Sequence, residues 1–321
     1  MQKKFSELIE GKDCLFRYRA YNDHTLSALM ENRLYFSKPR YFNDPYDNLI
    51  YVNSKMVVSE IIGNILVGMD SYLENRKPFN DSISKSVDIM WHQDKSRKHM
   101  VEEMEKQIYS AIDTVRIKIK ENTKVICFAE EYNSMLMWSH YADYHAGFCL
   151  VYQKEDIEDA KRYGNTESEV INKTVLTRIN YVEQQLDMTN DVLEYIRNNM
   201  FDTMGDVPQV DSSLASAKIR QVITEKSKDW AYEKEWRLIP RIPKIETESP
   251  LYYIECKPIA AIIGSQCFGK NREKLVKICE RIDVPVYGIF LKENDPKCRL
   301  ELNDDGNLEV ERHEYFFCYN G

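Results

Sequence analysis

The sequence predicts an α+β protein, with a mixed or antiparallel sheet at its core and a mainly helical insertion over residues 54–122. Three observations carry this. Strand-like segments do not alternate regularly with helices, as a doubly wound sheet would require. Two long runs with apolar residues at steps of three and four fall together between strands. Only 11 glycines and 10 prolines occur in 321 residues, with no repeat and no linker-like tract. The chain therefore reads as one α+β domain, 1–321, with short or well-packed loops.

Residues 14–18 (Cys-Leu-Phe-Arg-Tyr) read as a strand, and Asn22 as the cap of a helix carrying Leu26, Leu29 and Met30. Leu34 to Phe36 reads as a second strand. The segment from Ser37 to Asp47 is irregular, with Asn43-Asp44-Pro45 as turn chemistry. Val58, Ile61, Ile62, Ile65, Leu66, Met69 and Leu73 keep helical spacing. So do Val101, Met104, Ile108, Ile112, Val115 and Ile119. Strands follow at 124–128, 148–152 and 174–182, with a short helix at 134–141. Helices are expected near 190–201 and 212–229. Strands are expected at 235–240, 252–255 and 260–263, then a helix at 271–282, then strands at 284–291 and 308–318.

The 44 basic and 52 acidic residues give a net charge of −8. That argues against a basic coat for duplex DNA but leaves room for a local basic groove. No apolar run reaches the ~20 residues of a membrane helix. The N-terminus has basic residues without an apolar stretch behind them, which argues against a signal peptide. The eight cysteines are scattered, with no Cys-x-x-Cys pair. The expectation is a cytoplasmic protein with reduced thiols and no metal.

Three constellations could carry chemistry. The first is Met137 to Phe148, which packs Trp138, Ser139, His140, Tyr141, Asp143, Tyr144 and His145 into a dozen residues. It also fits a helix end whose aromatics turn inward. His140 and His145 are five apart, a poor spacing for two metal ligands on one helix face. The second is Asp229 to Leu238. As a strand from Glu233, it sets Glu233, Glu235 and Arg237 on one face and Trp236 on the other. That pattern suits either a solvated charge ladder or a carboxylate placed to stabilise a developing cation. The third pairs Arg17 and Arg19, a fork suited to phosphate or carboxylate, with Asp44 and Asp47 downstream. Ordinary surface salt bridges explain it equally well. Gly264 to Lys270 spells G-x-x-x-x-G-K, but Asn271 stands where a phosphate loop needs Ser or Thr for Mg²⁺, so a strand-to-helix turn is expected there.

Taken together, these motifs resemble the bacterial family named only as domain of unknown function 2971, over about residues 14–265. The order of an arginine strand, a Ser/Tyr segment and Glu-x-Glu is also similar to ADP-ribosyltransferases. That resemblance implies NAD as substrate or cofactor, anchored by Arg17 or Arg19. It implies a nicotinamide pocket shaped by Ser139 or Tyr141, and Glu235 stabilising oxocarbenium character with Glu233 two residues before it. Trp138, His140, Trp236 and Arg237 would complete the ligand wall. The Ser-Thr-Ser triplet of those enzymes has no counterpart here. A macromolecular acceptor, protein or nucleic acid, would follow. Two other readings stay open. One is a metal-dependent nuclease or phosphodiesterase built on Asp44, Asp47, His140 and Glu235. The other is a non-catalytic module binding a nucleotide or peptide.

Overall fold

In the computed structural model the described residues are 3–75, 93–164, 173–201, 214–244, 248–292, 299–306 and 308. In chain order the elements are α1 (Phe5–Ile9), β1 (Cys14–Arg19), α2 (Asp23–Met30), β2 (Arg33–Tyr35), α3 (Ser54–Asn75), α4 (Asp94–Asn122), β3 (Ile126–Ala129), α5 (Met135–Tyr141), β4 (Phe148–Gln153), α6 (Lys154–Asp159), β5 (Lys161–Gly164), β6 (Thr174–Arg178) and β7 (Asn180–Val182). Then come α7 (Thr189–Phe201), α8 (Ser216–Thr224), β8 (Glu225–Ser227), β9 (Glu235–Pro240), β10 (Leu251–Glu255), β11 (Ala260–Ile263), α9 (Gly269–Arg281), β12 (Val286–Leu291) and β13 (Leu300–Leu302).

An eight-stranded sheet in the order β13-β12-β11-β4-β1-β3-β9-β6 forms the core. Only β11 and β12 run parallel; the other neighbours are antiparallel. This is the mixed sheet of an α+β fold. β2, β10 and β5 form a second sheet, and β7 and β8 a small parallel pair.

Alternation along the strands decides what each sheet face buries. Leu15, Phe128, Phe148, Leu150, Tyr152, Leu238, Ala261 and Ile263 pack one face, under α2 and α9. The other face is covered in two parts. Over β1, β4, β11 and β12 lie Phe16, Tyr18, Cys149, Val151 and Ile262, packed with Trp138 of α5. Toward β9, Ile239 joins a cluster with Val57, Val58, Ile61 and Ile62 of α3 and Ile108, Ile112, Val115 and Ile119 of α4. α3 and α4, the described parts of the expected helical insertion, thus pack on the sheet beside α7 and α8; residues 76–92 lie outside the described residues.

Several expectations need correction. Thr174 to Val182 is two strands, because Ile179 leaves the ladder with β9 and β7 turns to pair with β8. The helix expected at 212–229 ends at Thr224. Glu225–Ser227 is a strand, and Lys228–Glu233 is a 3₁₀ helix closed by Lys234 at φ 45°. Glu233 is therefore not on the strand. α6, β5 and β13 were not expected. Residues 309–318 of the last expected strand lie outside the described residues.

Candidate functional site

The central sheet is split at one place. β1 pairs with β4 along all of Cys14–Arg19, yet meets β3 only at Phe16–Ala129. Past that pair the strands part, and Val125 pairs with Ser37 instead. A cavity of about 350 Å³ opens in the gap. That volume lies within the roughly 300–1,000 Å³ usual for small-molecule sites.

One wall is cationic. Arg17 and Arg19 alternate on β1 and both line the cavity. Arg17 donates from Nη1 to the Cys127 carbonyl at 3.0 Å and lies over the Phe128 ring at 5.7 Å. Among the described residues neither arginine has a carboxylate partner. Burial lowers the Arg17 guanidinium, and burial together with Arg17 pulls Arg19 down to about 10. Arg19 still carries its charge at neutral pH. Two uncompensated guanidinium groups on a cavity wall are an anion site in waiting.

The opposite wall is a buried charge network centred on Arg237, which is fully buried. Its Nη1 and Nη2 fork onto Asp47 at 3.0 and 2.5 Å. Its Nε and Nη2 hold Glu235 at 2.6 and 3.0 Å. Nη1 also donates to Asn48 Oδ1 and the Ile223 carbonyl. Lys226 reaches up beside it, 2.6 Å from Glu233 Oε2 and 3.3 Å from Glu235 Oε2. The Tyr141 hydroxyl lies 2.6 Å from Glu233 Oε1 and 3.1 Å from Asn43 Oδ1.

The two glutamates are driven apart. Burial pushes the Glu233 carboxyl up, against the pull of Lys226. Burial also acts to raise Glu235, but Arg237 and Lys226 outweigh it and hold that carboxyl at about 2. Pairs of carboxylates whose environments separate them mark acid–base sites. Both glutamates line the cavity; Glu235 is committed to Arg237, whereas Glu233, raised by burial, is held by Tyr141 and Lys226.

Of the residues singled out from sequence, Arg17, Arg19, His140, Tyr141, Glu233 and Glu235 line this one cavity. α5 offers it Met137, His140 and Tyr141, spaced i, i+3, i+4. Ser139 is two residues from Tyr141, about 200° around the helix. It is turned away, donating to the Met135 carbonyl and lying 3.2 Å from His145 Nε2. Trp138 points into the core, edge-on to Tyr18 at 5.2 Å. Trp236 faces the opposite side of β9, donating to Glu130 under the ammonium of Lys154. Arg237 lies beneath Glu235 and does not touch the cavity. Of the nuclease residues, Asp47, His140 and Glu235 line the cavity and Asp44 lies outside it; Asp47 and Glu235 are both held by Arg237, and among the described residues no group of three His, Cys, Asp or Glu side chains could hold a metal ion.

Lys226 and Asn48 were missed. Lys226 sits in the stretch misread as helix, and no local pattern ties Asn48 to Arg237 across 189 positions.

Half of this machinery coincides with a recognised sequence family. Residues 137–238 match a family model described as a protein of unknown function (DUF2971). The match runs from α5 to β9, so it takes in Tyr141, Lys226, Glu233, Glu235 and Arg237 and leaves Arg17, Arg19 and Asp47 outside. Comparison with curated proteins and comparison with solved structures gave no significant match. Among the described residues no helix is long and apolar enough to cross a membrane.

Proposed function

We propose that the cavity binds NAD and that the chain cleaves its nicotinamide–ribose bond, as an ADP-ribosyltransferase or NAD glycohydrolase does. The observation that carries this reading is the opposition, across one cavity, of two guanidinium groups without carboxylate partners and a buried carboxylate paired with a tyrosine. Arg17 and Arg19 suit the pyrophosphate. Phe42, His140 and Tyr141 offer ring surface for the flat nicotinamide.

Glu233 would act where positive charge develops. When the C–N bond breaks, its electron pair leaves with neutral nicotinamide and the anomeric carbon turns cationic. A fixed carboxylate favours that transition state over the ground state. The acceptor hydroxyl, of water or of a macromolecule, then attacks the anomeric carbon, and its proton passes to Glu233. A carboxyl raised by burial is the better base for that transfer. Lys226 and Tyr141 fix its orientation, while Glu235 and Arg237 keep Lys226 in place.

Ligand-dependent melting tests the binding half. NAD at a hundredfold excess over its dissociation constant should stabilise the chain by about 2.7 kcal/mol. ADP-ribose and pyrophosphate should stabilise it too, and all three effects should shrink in Arg19→Ala. Flat melting curves for all of these ligands would overturn the proposal.

A further inference from the structure

The cavity between β1 and β3, at about 350 Å³, falls near the lower end of the volumes that drug-sized ligands occupy. A dinucleotide is larger than those, with two ring systems, two riboses and a pyrophosphate. If its nicotinamide end lies at Glu233 and its pyrophosphate on Arg17 and Arg19, its adenosine end comes out at the mouth. The side chains at the mouth are then part of the site.

Tyr41 stands there. It lines the cavity and yet is 73% exposed. The Arg40 guanidinium lies over its ring, 5.2 Å from the centroid, and donates to Glu121 on α4. Among the described residues no second cation and no other ring is stacked on Tyr41. One ring face is backed by a cation and the other is open. The backbone beneath is fixed. Pro39 is buried, and Pro39–Tyr41 is a 3₁₀ turn. In it the Tyr41 amide donates to the Lys38 carbonyl and the Phe42 amide to that of Pro39, both at 3.0 Å. Two residues on, Asn43 Oδ1 accepts the Tyr141 hydroxyl. The segment is thus tied to α4 through Arg40 and to α5 through Asn43. A ring carried on a tethered segment needs less ordering when a ligand arrives.

A solitary exposed tyrosine is ordinary surface. This one differs in standing on the same cavity as two buried arginines that have no carboxylate partner. We propose that the open face of Tyr41 stacks on the adenine ring, so that the site selects the dinucleotide over its nicotinamide mononucleotide half. The arrangement is an arginine–tyrosine–purine stack, in which every layer is flat and the outer tyrosine face is free in the unliganded chain. The proposal rests on the NAD reading above and adds to it the residue that holds the far end of the substrate. Tyr41 touches no reacting atom, so its contribution is to binding.

The test is nicotinamide release by the full chain from NAD and from nicotinamide mononucleotide, in the wild type, Tyr41→Ala and Tyr41→Phe. Loss of a stacking platform should raise the KM for NAD about tenfold or more in Tyr41→Ala, with kcat little changed. Tyr41→Phe keeps the ring and should keep the wild-type KM. On the mononucleotide, which has no adenine, the effect of Tyr41→Ala should vanish. Should the mononucleotide not be turned over, its inhibition constant against NAD gives the same comparison. The mononucleotide also lacks one phosphate, so each variant is compared with the wild type on the same substrate. The ring is exposed, so both variants should melt with the wild type. An unchanged KM for NAD in Tyr41→Ala, an equal loss on the mononucleotide, or the same loss in Tyr41→Phe would overturn the proposal and leave NAD cleavage standing. No nicotinamide release from NAD by the wild type would overturn the NAD reading, and this proposal with it.

Discussion

Arg237 and Glu235 are structural in the first instance, and Glu233 is the residue on which chemistry would turn. Glu235→Gln leaves Arg237 and Lys226 with less compensating charge in a dry network, so it should destabilise the fold by about 3–5 kcal/mol. The pH dependence follows from the direction of the shift. Glu235 sits at about 2 when folded, below the ordinary glutamate value of about 4.3. Its contribution is fully present above about 4.3 and is lost as pH falls toward 2. Urea denaturation across that window should show a steep loss in the wild type and a shallower one in Glu235→Gln. Glu233 runs the other way. Its carboxyl is raised by burial, so its charge weakens the fold as pH climbs past the ordinary value. Glu233→Gln relieves that cost but takes from the buried Lys226 its nearest counter-charge, 2.6 Å away, so at neutral pH it should destabilise less than Glu235→Gln while lowering turnover by about 10²–10³. At this scale the sequence was half legible. Arg17, Arg19, Tyr141, Glu233 and Glu235 stand in motifs dense enough to draw notice. Ser139 and Trp138 drew the same notice because composition does not reveal which side of a short helix faces a cleft. Asp47 looked like turn chemistry or a metal ligand, since nothing local shows an arginine 190 positions away.

The cavity depends on how β1 and β4 end. Gly147, just before β4, lies so close to β1 that a Cβ there would sit 2.2 Å from the Arg19 carbonyl and 2.9 Å from that of Ala142. Both are backbone atoms, so the strand end must move. Gly147→Ala should destabilise by about 1–3 kcal/mol, as overpacking does. It should also weaken anion binding, because Arg19 moves with its backbone. Thermal melts with and without pyrophosphate separate the two effects. Gly264 plays the matching part, its Cβ position being 2.1 Å from the His145 carbonyl. That is why a G-x-x-x-x-G-K string occurs here without a phosphate loop. The loop that leads from α5 into Gly147 carries Asp143, Tyr144 and His145 at φ of 50°, 49° and 71°, a left-handed run that sequence does not announce. The long helices were legible, since α3 and α4 bury one stripe at 3.6-residue spacing. Residues 225–233 were not. Their order comes from pairing with β7 and from the buried Lys226–Glu233 contact, both tertiary.

At the scale of the molecule, one sheet brings together residues more than two hundred positions apart, and the gap between β1 and β3 sets Arg17 and Arg19 against Glu233 and Glu235. The α+β class was legible because strands do not alternate regularly with helices along the sequence, but the strand order was not. β1 lies between β4 and β3, and no local signal shows that its pairing with β3 stops after one residue pair. On the function proposed above, this gap is an NAD-cleaving cleft. Its most direct test is release of nicotinamide from NAD by the purified full chain, followed beside Glu233→Gln and Arg19→Ala. The cleft predicts nicotinamide release by the wild type, loss of about 10²–10³ in turnover for Glu233→Gln at a temperature where that variant is fully folded, and a raised KM for Arg19→Ala. No release by the wild type, or equal release by Glu233→Gln, would contradict it.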